Sequence, residues 1–187
     1  DDPFGILREA VAASMLKPKQ FVPTHCNRNT WICEDAKTYG KEGYLDITTS
    51  AYPFFPDDEV KPSRALAGLL AAGVPAEHVT FSSDAGGSLP MFDGNGDLLS
   101  LTTGDPATLL DEVLDCVREE GLPLETALKV ATTNPADTMK LPRKGRVAEG
   151  TDADLVLLDR DMRILHVMAL GEWMLRDGKL PKKGTFE

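Results

Sequence analysis

Two side chains that bind metals each end a strand-like stretch of the sequence. His25 closes the short run 21–25, and Asp84 follows the β-branched and aromatic run 79–82. The carboxyl ends of parallel strands meet on one face of an α/β sheet, where catalytic groups collect. An imidazole and a carboxylate on that face predict part of a zinc site, in which Asp84 can also take a proton from water.

Both residues also have an ordinary structural interpretation. An aspartate followed by Gly86 and Gly87 is typical of a turn, and a histidine at a strand end is usually only hydrogen-bonded. Two ligands also fall short of the three or four that a zinc site takes from protein. The spacing alone therefore supports half a metal site and leaves the structural interpretation open.

Two further residues follow these candidates and suit a substrate that carries carboxylates. Arg28 lies three residues after His25, where its guanidinium can grip a carboxylate through two hydrogen bonds. Ser88 lies four residues after Asp84, and its hydroxyl can donate to a second carboxylate. Solvent exposure of Arg28 and simple capping of a turn by Ser88 remain open alternatives.

Composition excludes several classes of partner and compartment. A net charge of −10 and a pI of about 4.8 argue against nucleic acid and give no sign of an anionic membrane partner. No run of eighteen apolar residues is present. Cys26, Cys33 and Cys116 are too few, and odd in number, for a disulfide framework, which predicts a reducing, cytoplasmic location.

The elements that must position these side chains alternate between helix and strand. Helices are predicted over 4–16, 62–72, 105–120 and 123–140 (with a break at 134–135), a helix or loop over 29–43, strands over 21–25, 44–49 and 79–82, and a glycine-rich loop over 91–104. This order of βα units predicts a parallel sheet of the α/β class over residues 1–142. Close strand candidates at 153–158, 163–170 and 173–176 predict a small antiparallel appendage over 143–187.

A parallel sheet of only three strands would expose two unpaired edges. Each buried backbone group left unpaired costs about 1–3 kcal/mol, against a domain stability of only about 5–15 kcal/mol. The chain also opens on Asp1-Asp2-Pro3 without an initiator methionine. We therefore expect this chain to be the carboxyl-terminal half of a longer polypeptide.

Three motifs resemble the isoaspartyl (β-aspartyl) dipeptidases of the amidohydrolase superfamily. They are Pro23-Thr-His-Cys-Asn-Arg-Asn29, Ser82-Ser-Asp-Ala-Gly-Gly-Ser-Leu-Pro90 and Phe92-Asp-Gly-Asn-Gly-Asp-Leu98. The stretches 145–159, 171–178 and 183–187 are similar to the carboxyl-terminal signature of the superfamily in general. The resemblance covers nearly the whole chain, and the first two motifs point to the dipeptidase branch.

The resemblance implies a fold, a reaction and a role for each candidate residue. The family fold is a metal-dependent-hydrolase (β/α)8 barrel with a small β-sandwich, of which this chain would hold about strands six to eight and the carboxyl-terminal part of the sandwich. The family site holds two zinc ions bridged by a carbamylated lysine and hydrolyses β-aspartyl dipeptides. His25 and Asp84 match metal ligands, and Asp84 also matches the general acid/base. Arg28 and Ser88 match the residues that hold the two substrate carboxylates.

Departures from the family pattern limit what this chain can do. The paired histidines of the first strand, the lysine of the fourth and the histidine of the fifth are absent, so the other ligands would come from the missing amino-terminal half. The chain alone is expected to be inactive, and the complete enzyme to be a homo-oligomer. A noncatalytic half-barrel interaction module remains an alternative. So does another amidohydrolase, such as a dihydroorotase-like or N-acyl amino acid hydrolase. Whether Cys26 packs or oxidises stays open.

Overall fold

The computed structural model describes residues 2–57 and 59–183 and contains two compact units, Asp1–Asn134 and Pro135–Glu187. Six α-helices are present in these residues: α1 Gly5–Ala12, α2 Thr30–Tyr39, α3 Pro62–Ala71, α4 Thr108–Arg118, α5 Leu124–Lys129 and α6 Thr133–Thr138. Their strands are β1 Leu45–Thr48, β2 Val79–Ser82, β3 Ser88–Phe92, β4 Leu98–Thr103, β5 Leu155–Leu158, β6 Ile164–Ala169 and β7 Glu172–Leu175. The assignment of 1–142 to a barrel and 143–187 to a sandwich stays a prediction.

Local sequence explains where the helices nearest the site begin and end. Asn29 caps α2, because its side-chain oxygen accepts a hydrogen bond from the Ile32 N–H at 2.9 Å. Pro62 occupies the first turn of α3, where its missing N–H costs nothing. Gly73 follows that helix with φ 86°, a left-handed conformation that glycine adopts without steric cost.

The predicted parallel sheet is confirmed as a pair formed by β1 and β2. The register runs from Leu45 opposite Val79 to Thr48 opposite Ser82. The apolar residues of both strands are buried in one core with α2, α3 and α4, as expected for parallel strands covered on both faces. The α/β class predicted from the sequence is therefore correct for this unit.

The strand predicted over 21–25 is an extended segment without regular strand structure. Two backbone hydrogen bonds tie it to β1: the Asp46 N–H donates to the Pro23 carbonyl at 2.9 Å, and the Cys26 N–H donates to the Asp46 carbonyl at 3.1 Å. His25 has φ 55°, which bends the chain out of the extended conformation before a ladder can develop.

Two other predictions about secondary structure were wrong. The loop expected over 91–104 is mostly a β-hairpin, in which β3 and β4 pair antiparallel. Only residues 93–97 form its turn, where the Asp93 carboxylate accepts hydrogen bonds from the N–H groups of Asn95 and Asp97. The helix expected over 123–140 is two helices, and the break falls between Lys129 and Thr133 rather than at Pro135.

The second unit contains the antiparallel appendage that the sequence predicted. Strands β5, β6 and β7 form one sheet in that order. In the segment before β5, Lys144 forms ion pairs with Asp152 (3.0 Å) and Asp154 (2.5 Å). Among the described residues, no helix combines the length and the apolar character needed to cross a bilayer.

Candidate metal-binding and substrate-binding site

Three chain segments meet at the carboxyl edge of the parallel pair. The Thr49 N–H donates to the Ser82 carbonyl at 2.9 Å, which extends the pairing one step beyond β1. His25 Nδ1 lies 2.9 Å from Thr48 Oγ1, so the end of segment 21–25 contacts the end of β1. Asp84 follows β2 by two residues at the same edge. The structure thus places His25 and Asp84 on the edge that the sequence predicted.

A buried carboxyl group lies beneath this edge. Asp46 accepts hydrogen bonds from Thr80 Oγ1 at 2.7 Å and from Ser82 Oγ at 2.6 Å. Burial raises the pKa of Asp46 above its ordinary value, and the two hydrogen bonds oppose this rise. Smaller electrostatic effects come from His25, which lowers the pKa, and from Asp84, which raises it. His25 and Asp84 therefore both lie within electrostatic reach of one buried group. Sequence reasoning missed Asp46, although an aspartate inside an apolar strand was the available signal.

The backbone at both predicted metal ligands is left-handed. His25 has φ 55° and Asp84 has φ 52°. Such conformations are uncommon for residues other than glycine and occur often at functional sites, where the surrounding structure holds them in place. Thr48 Oγ1 lies 2.9 Å from Nδ1 and orients the imidazole ring; a metal would bind through Nε2 in the tautomer whose Nδ1–H donates to Thr48 Oγ1.

Two glycines near Asp84 leave little room for a side chain. A Cβ at Gly87 would lie 2.8 Å from the carboxyl atoms of Asp84. A Cβ at Gly104 would lie 2.5 Å from the Asp84 carbonyl oxygen and 2.6 Å from Ser50 Oγ. The Gly104 N–H also donates to the Gly87 carbonyl at 2.9 Å, so the base of the hairpin holds the Asp84 turn in place.

Replacing Gly87 with alanine is expected to displace the Asp84 carboxylate without unfolding the protein. The added methyl meets only the exposed end of that side chain, which can rotate into solvent. If Asp84 carries a proton during turnover, as the family resemblance implies, kcat of the complete polypeptide should fall about 10–100-fold, the cost of misplacing such a group by about 1 Å. Steady-state kinetics and thermal unfolding measure the two effects separately.

Gly94→Ala is the matched control for this prediction. Gly94 lies in the turn of the same hairpin, and a Cβ there would meet no atom within 4 Å. Full activity of both variants would show that the position of the Asp84 carboxylate does not matter to turnover.

Arg28 lies between a buried carboxylate and His25. Its Nε lies 3.1 Å from Glu59 Oε1, and one terminal nitrogen lies 3.3 Å from His25 Nδ1. The Arg28 side chain is 49% exposed, whereas that of Glu59 is only 2% exposed. Arg28 is therefore held beside His25 with about half of its side chain exposed. Sequence reasoning proposed Arg28 as a site residue but did not consider Glu59.

Asn27 joins the two loops that carry these residues and was also missed. Its buried side chain donates to the carbonyls of Thr48 (3.0 Å) and Val60 (3.1 Å) and accepts from the Thr48 N–H at 3.0 Å. The Val60 N–H in turn donates to the Asn27 carbonyl at 2.9 Å. One side chain thus fixes the segment 25–28 against both β1 and the loop that contains Glu59.

Asn27→Ala is expected to lower the free energy of unfolding by about 3 kcal/mol. The change leaves one buried N–H and two buried carbonyls without the partner they have now, and each such loss costs about 1–3 kcal/mol with incomplete additivity. Urea denaturation measures the effect, and Asn95→Ala in the exposed hairpin turn serves as the control. A loss below about 1 kcal/mol would contradict the bracing role of Asn27.

Ser88 and Cys26 lie near the site in different environments. Ser88 is exposed at the first position of β3 and, within residues 2–57 and 59–183, makes no hydrogen bond with His25, Arg28 or Asp84. Cys26 is buried, and its Sγ lies 3.2 Å from the Pro23 carbonyl. Burial raises the pKa of Cys26 to about 12, so this thiol is neutral and packs rather than reacts.

The metal donors in this chain fit zinc in kind but not in number. Imidazole and carboxylate are both ordinary zinc ligands. In the part of the chain that the structure describes, however, no group of three or more histidine, cysteine, aspartate and glutamate side chains is arranged to hold a metal ion. His25 and Asp84 can therefore supply part of a zinc site but not a whole one.

The chain belongs to the amidohydrolase family, whose model matches residues 13–174. It is similar to the crystal structure of β-aspartyl dipeptidase from Fervidobacterium islandicum AW-1 in complex with a β-Asp-Leu dipeptide, with 34% identity and a TM-score of 0.84. A second crystal structure of β-aspartyl dipeptidase from F. islandicum AW-1 gives 29% identity and a TM-score of 0.77. The predicted resemblance to these dipeptidases is confirmed, as is the general fold of a metal-dependent hydrolase.

These similarities cover almost all of this chain but less than half of the solved structures. The two dipeptidase comparisons cover 99% of this chain and 47% and 46% of the respective structures. N-acetylgalactosamine-6-phosphate deacetylase from Shewanella sp. (strain ANA-3) is 35% identical in an alignment of 128 residues that covers 60% of this chain and 32% of that protein. The chain thus spans about a third to a half of the length of these relatives.

Proposed function

We propose that this chain supplies the carboxyl-terminal part of the active site of a β-aspartyl dipeptidase that hydrolyses isoaspartyl dipeptides. The observation that carries the proposal is the placement of Arg28 against His25, with nitrogen atoms 3.3 Å apart. A cation beside a metal ligand suits a substrate whose carboxylate lies close to the scissile amide. The similarity to a dipeptidase in complex with β-Asp-Leu supports the same substrate class.

His25 and Asp84 are the residues of this chain that would hold metal. We infer that zinc is the metal and that the complete site takes a pair of ions. The remaining ligands, including a carbamylated lysine, would come from polypeptide outside these 187 residues. When bound, the metal pair lowers the pKa of a water molecule so that it can attack an unreactive amide. The chain by itself is then inactive, and the complete enzyme is a homo-oligomer of the cytoplasm.

Asp84 would carry the proton through the reaction. It accepts a proton from the attacking water and donates it to the nitrogen of the leaving residue as the C–N bond breaks. Its exposed position at the end of β2 gives the carboxylate access to a substrate above the strand edge. The glycines beside it let the backbone and a ligand approach closely.

Arg28 and Ser88 would hold the two ends of the dipeptide. Arg28 binds the carboxylate of the leaving residue, and Ser88 donates to the α-carboxylate of the isoaspartyl residue. Holding both ends positions the scissile amide over the metal ligands, so that binding of the dipeptide also orients the amide for attack.

Hydrolysis of β-Asp-Leu by the complete polypeptide tests this proposal. We expect release of aspartate and leucine, loss of activity on treatment with a zinc chelator, and no hydrolysis of N-acetylgalactosamine 6-phosphate. That sugar phosphate is the competing substrate to test, because the chain is also similar to the deacetylase from Shewanella. Deacetylation without dipeptide hydrolysis would place the chain with another amidohydrolase, and a stable complex without either activity would favour a noncatalytic module.

A further inference from the structure

The loop before α3 carries a buried carboxylate that faces the proposed substrate arginine. The Glu59 side chain is 2% exposed, and the Glu59 backbone N–H donates to the Phe55 carbonyl at 3.0 Å. The next residue, Val60, exchanges two hydrogen bonds with Asn27, which directly precedes Arg28. Glu59 is therefore fixed relative to the backbone of Arg28.

The ion pair uses the side of the guanidinium that a substrate does not need. Glu59 approaches Nε at 3.1 Å, on the inner edge of the group. One terminal nitrogen lies 3.3 Å from His25 Nδ1, and the Arg28 side chain is 49% exposed. Arginine binds carboxylates best through two parallel N–H donors in a fixed plane. A carboxylate at Nε restricts rotation of that plane without occupying either terminal nitrogen itself.

We propose that Glu59 is a positioning residue that aims Arg28 at the free carboxylate of the leaving residue, and so makes the enzyme select dipeptides with a free carboxyl terminus. The proposal rests on the proposed function of Arg28. Without Glu59, the arginine gains rotamer freedom that substrate binding must remove again, which weakens binding of the carboxylate by about tenfold. Loss of the Glu59 charge could also act in the opposite direction: an Arg28 without a neighbouring negative charge would attract the substrate carboxylate more strongly.

Kinetics of the complete enzyme on two peptides separates these outcomes. The peptides are β-Asp-Leu and β-Asp-Leu amide, which lacks the terminal carboxylate. In Glu59→Gln we expect KM for β-Asp-Leu to rise about tenfold with kcat within about twofold of wild type. Both constants for the amide should stay unchanged. Asp57→Asn is the matched control, because it removes one charge from an exposed residue of the same loop.

The other outcomes overturn either the positioning role of Glu59 or the proposed function. An unchanged or lower KM for β-Asp-Leu in Glu59→Gln, with the wild type active, overturns the positioning role. An equal loss on acid and amide does so too, because it indicates a general structural defect. A wild type that hydrolyses neither peptide overturns the proposed function itself. If Glu59→Gln does not fold, Glu59→Asp keeps the charge but withdraws the carboxylate by one methylene and is expected to raise KM for the acid alone.

Discussion

Asp84→Asn in the complete enzyme is expected to lower kcat for β-Asp-Leu by about 10²–10⁴-fold. The amide of asparagine matches the carboxylate in size but cannot accept the proton of the attacking water or return it to the leaving amine. The fold should survive, because Asp84 is exposed and asparagine tolerates a φ of 52° better than most residues. The loss should therefore appear in turnover and not in thermal unfolding.

Asp97→Asn provides the control for this experiment. Asp97 is an exposed aspartate near the turn of the β3–β4 hairpin, away from the strand edge that carries His25. We expect it to keep wild-type kcat. If Asp84→Asn also kept most of its activity, Asp84 would have no part in proton transfer, and the assignment of the β2 edge as the catalytic edge would lose its main support.

Arg28→Met is expected to damage both substrate binding and stability. Loss of a bidentate carboxylate contact should raise KM for β-Asp-Leu by about 10²-fold with a smaller change in kcat. The same change leaves Glu59, whose side chain is 2% exposed, without its ion-pair partner. We expect the free energy of unfolding to fall by about 1–2 kcal/mol, a reduced value because Arg28 itself is half exposed.

A double-mutant cycle separates the two effects of removing Arg28. Arg28→Met/Glu59→Gln also removes the carboxylate that has lost its contact with Arg28, so it should recover stability, but it should not recover KM. Arg64→Met is the control, since Arg64 is an exposed arginine of α3 with one distant ion-pair contact at 4.0 Å to Glu120. Unchanged KM in Arg28→Met would discard the substrate clamp, and unchanged stability would mean that the contact with Arg28 does not stabilise buried Glu59.

The sequence predicted correctly those elements whose residue pattern matches their burial in the fold. The runs 44–49 and 79–82 are apolar and β-branched between turn residues, and both became buried parallel strands. The hairpin was missed because glycine and aspartate near its turn dominate residues 91–104, although Leu98, Leu99 and Leu101 favour a strand. Segment 21–25 lost its strand character because His25 turns to positive φ.

Candidate site residues can be proposed from the sequence only where a side chain with suitable chemistry lies at a strand end. His25 and Asp84 satisfy that condition, and Arg28 follows directly. The bracing residues Asn27 and Glu59 do not satisfy it, because their contacts are distant in sequence. Asn27 bonds residues 21 and 33 positions away, and Glu59 pairs with a residue 31 positions away. Nothing in the local sequence indicates that Asn27 meets Val60 or that Glu59 meets Arg28, since the packing of the loops creates both contacts.

The zinc content of the protein shows whether His25 belongs to a metal site that this chain only partly supplies. Elemental analysis of dialysed protein should give close to zero zinc per 187-residue chain and about two ions per complete polypeptide, and the second value should fall when His25 is replaced by alanine. About two zinc ions on the isolated chain would mean that the chain holds a whole site by itself. Full zinc content of the complete polypeptide after loss of His25 would mean that His25 is not a ligand.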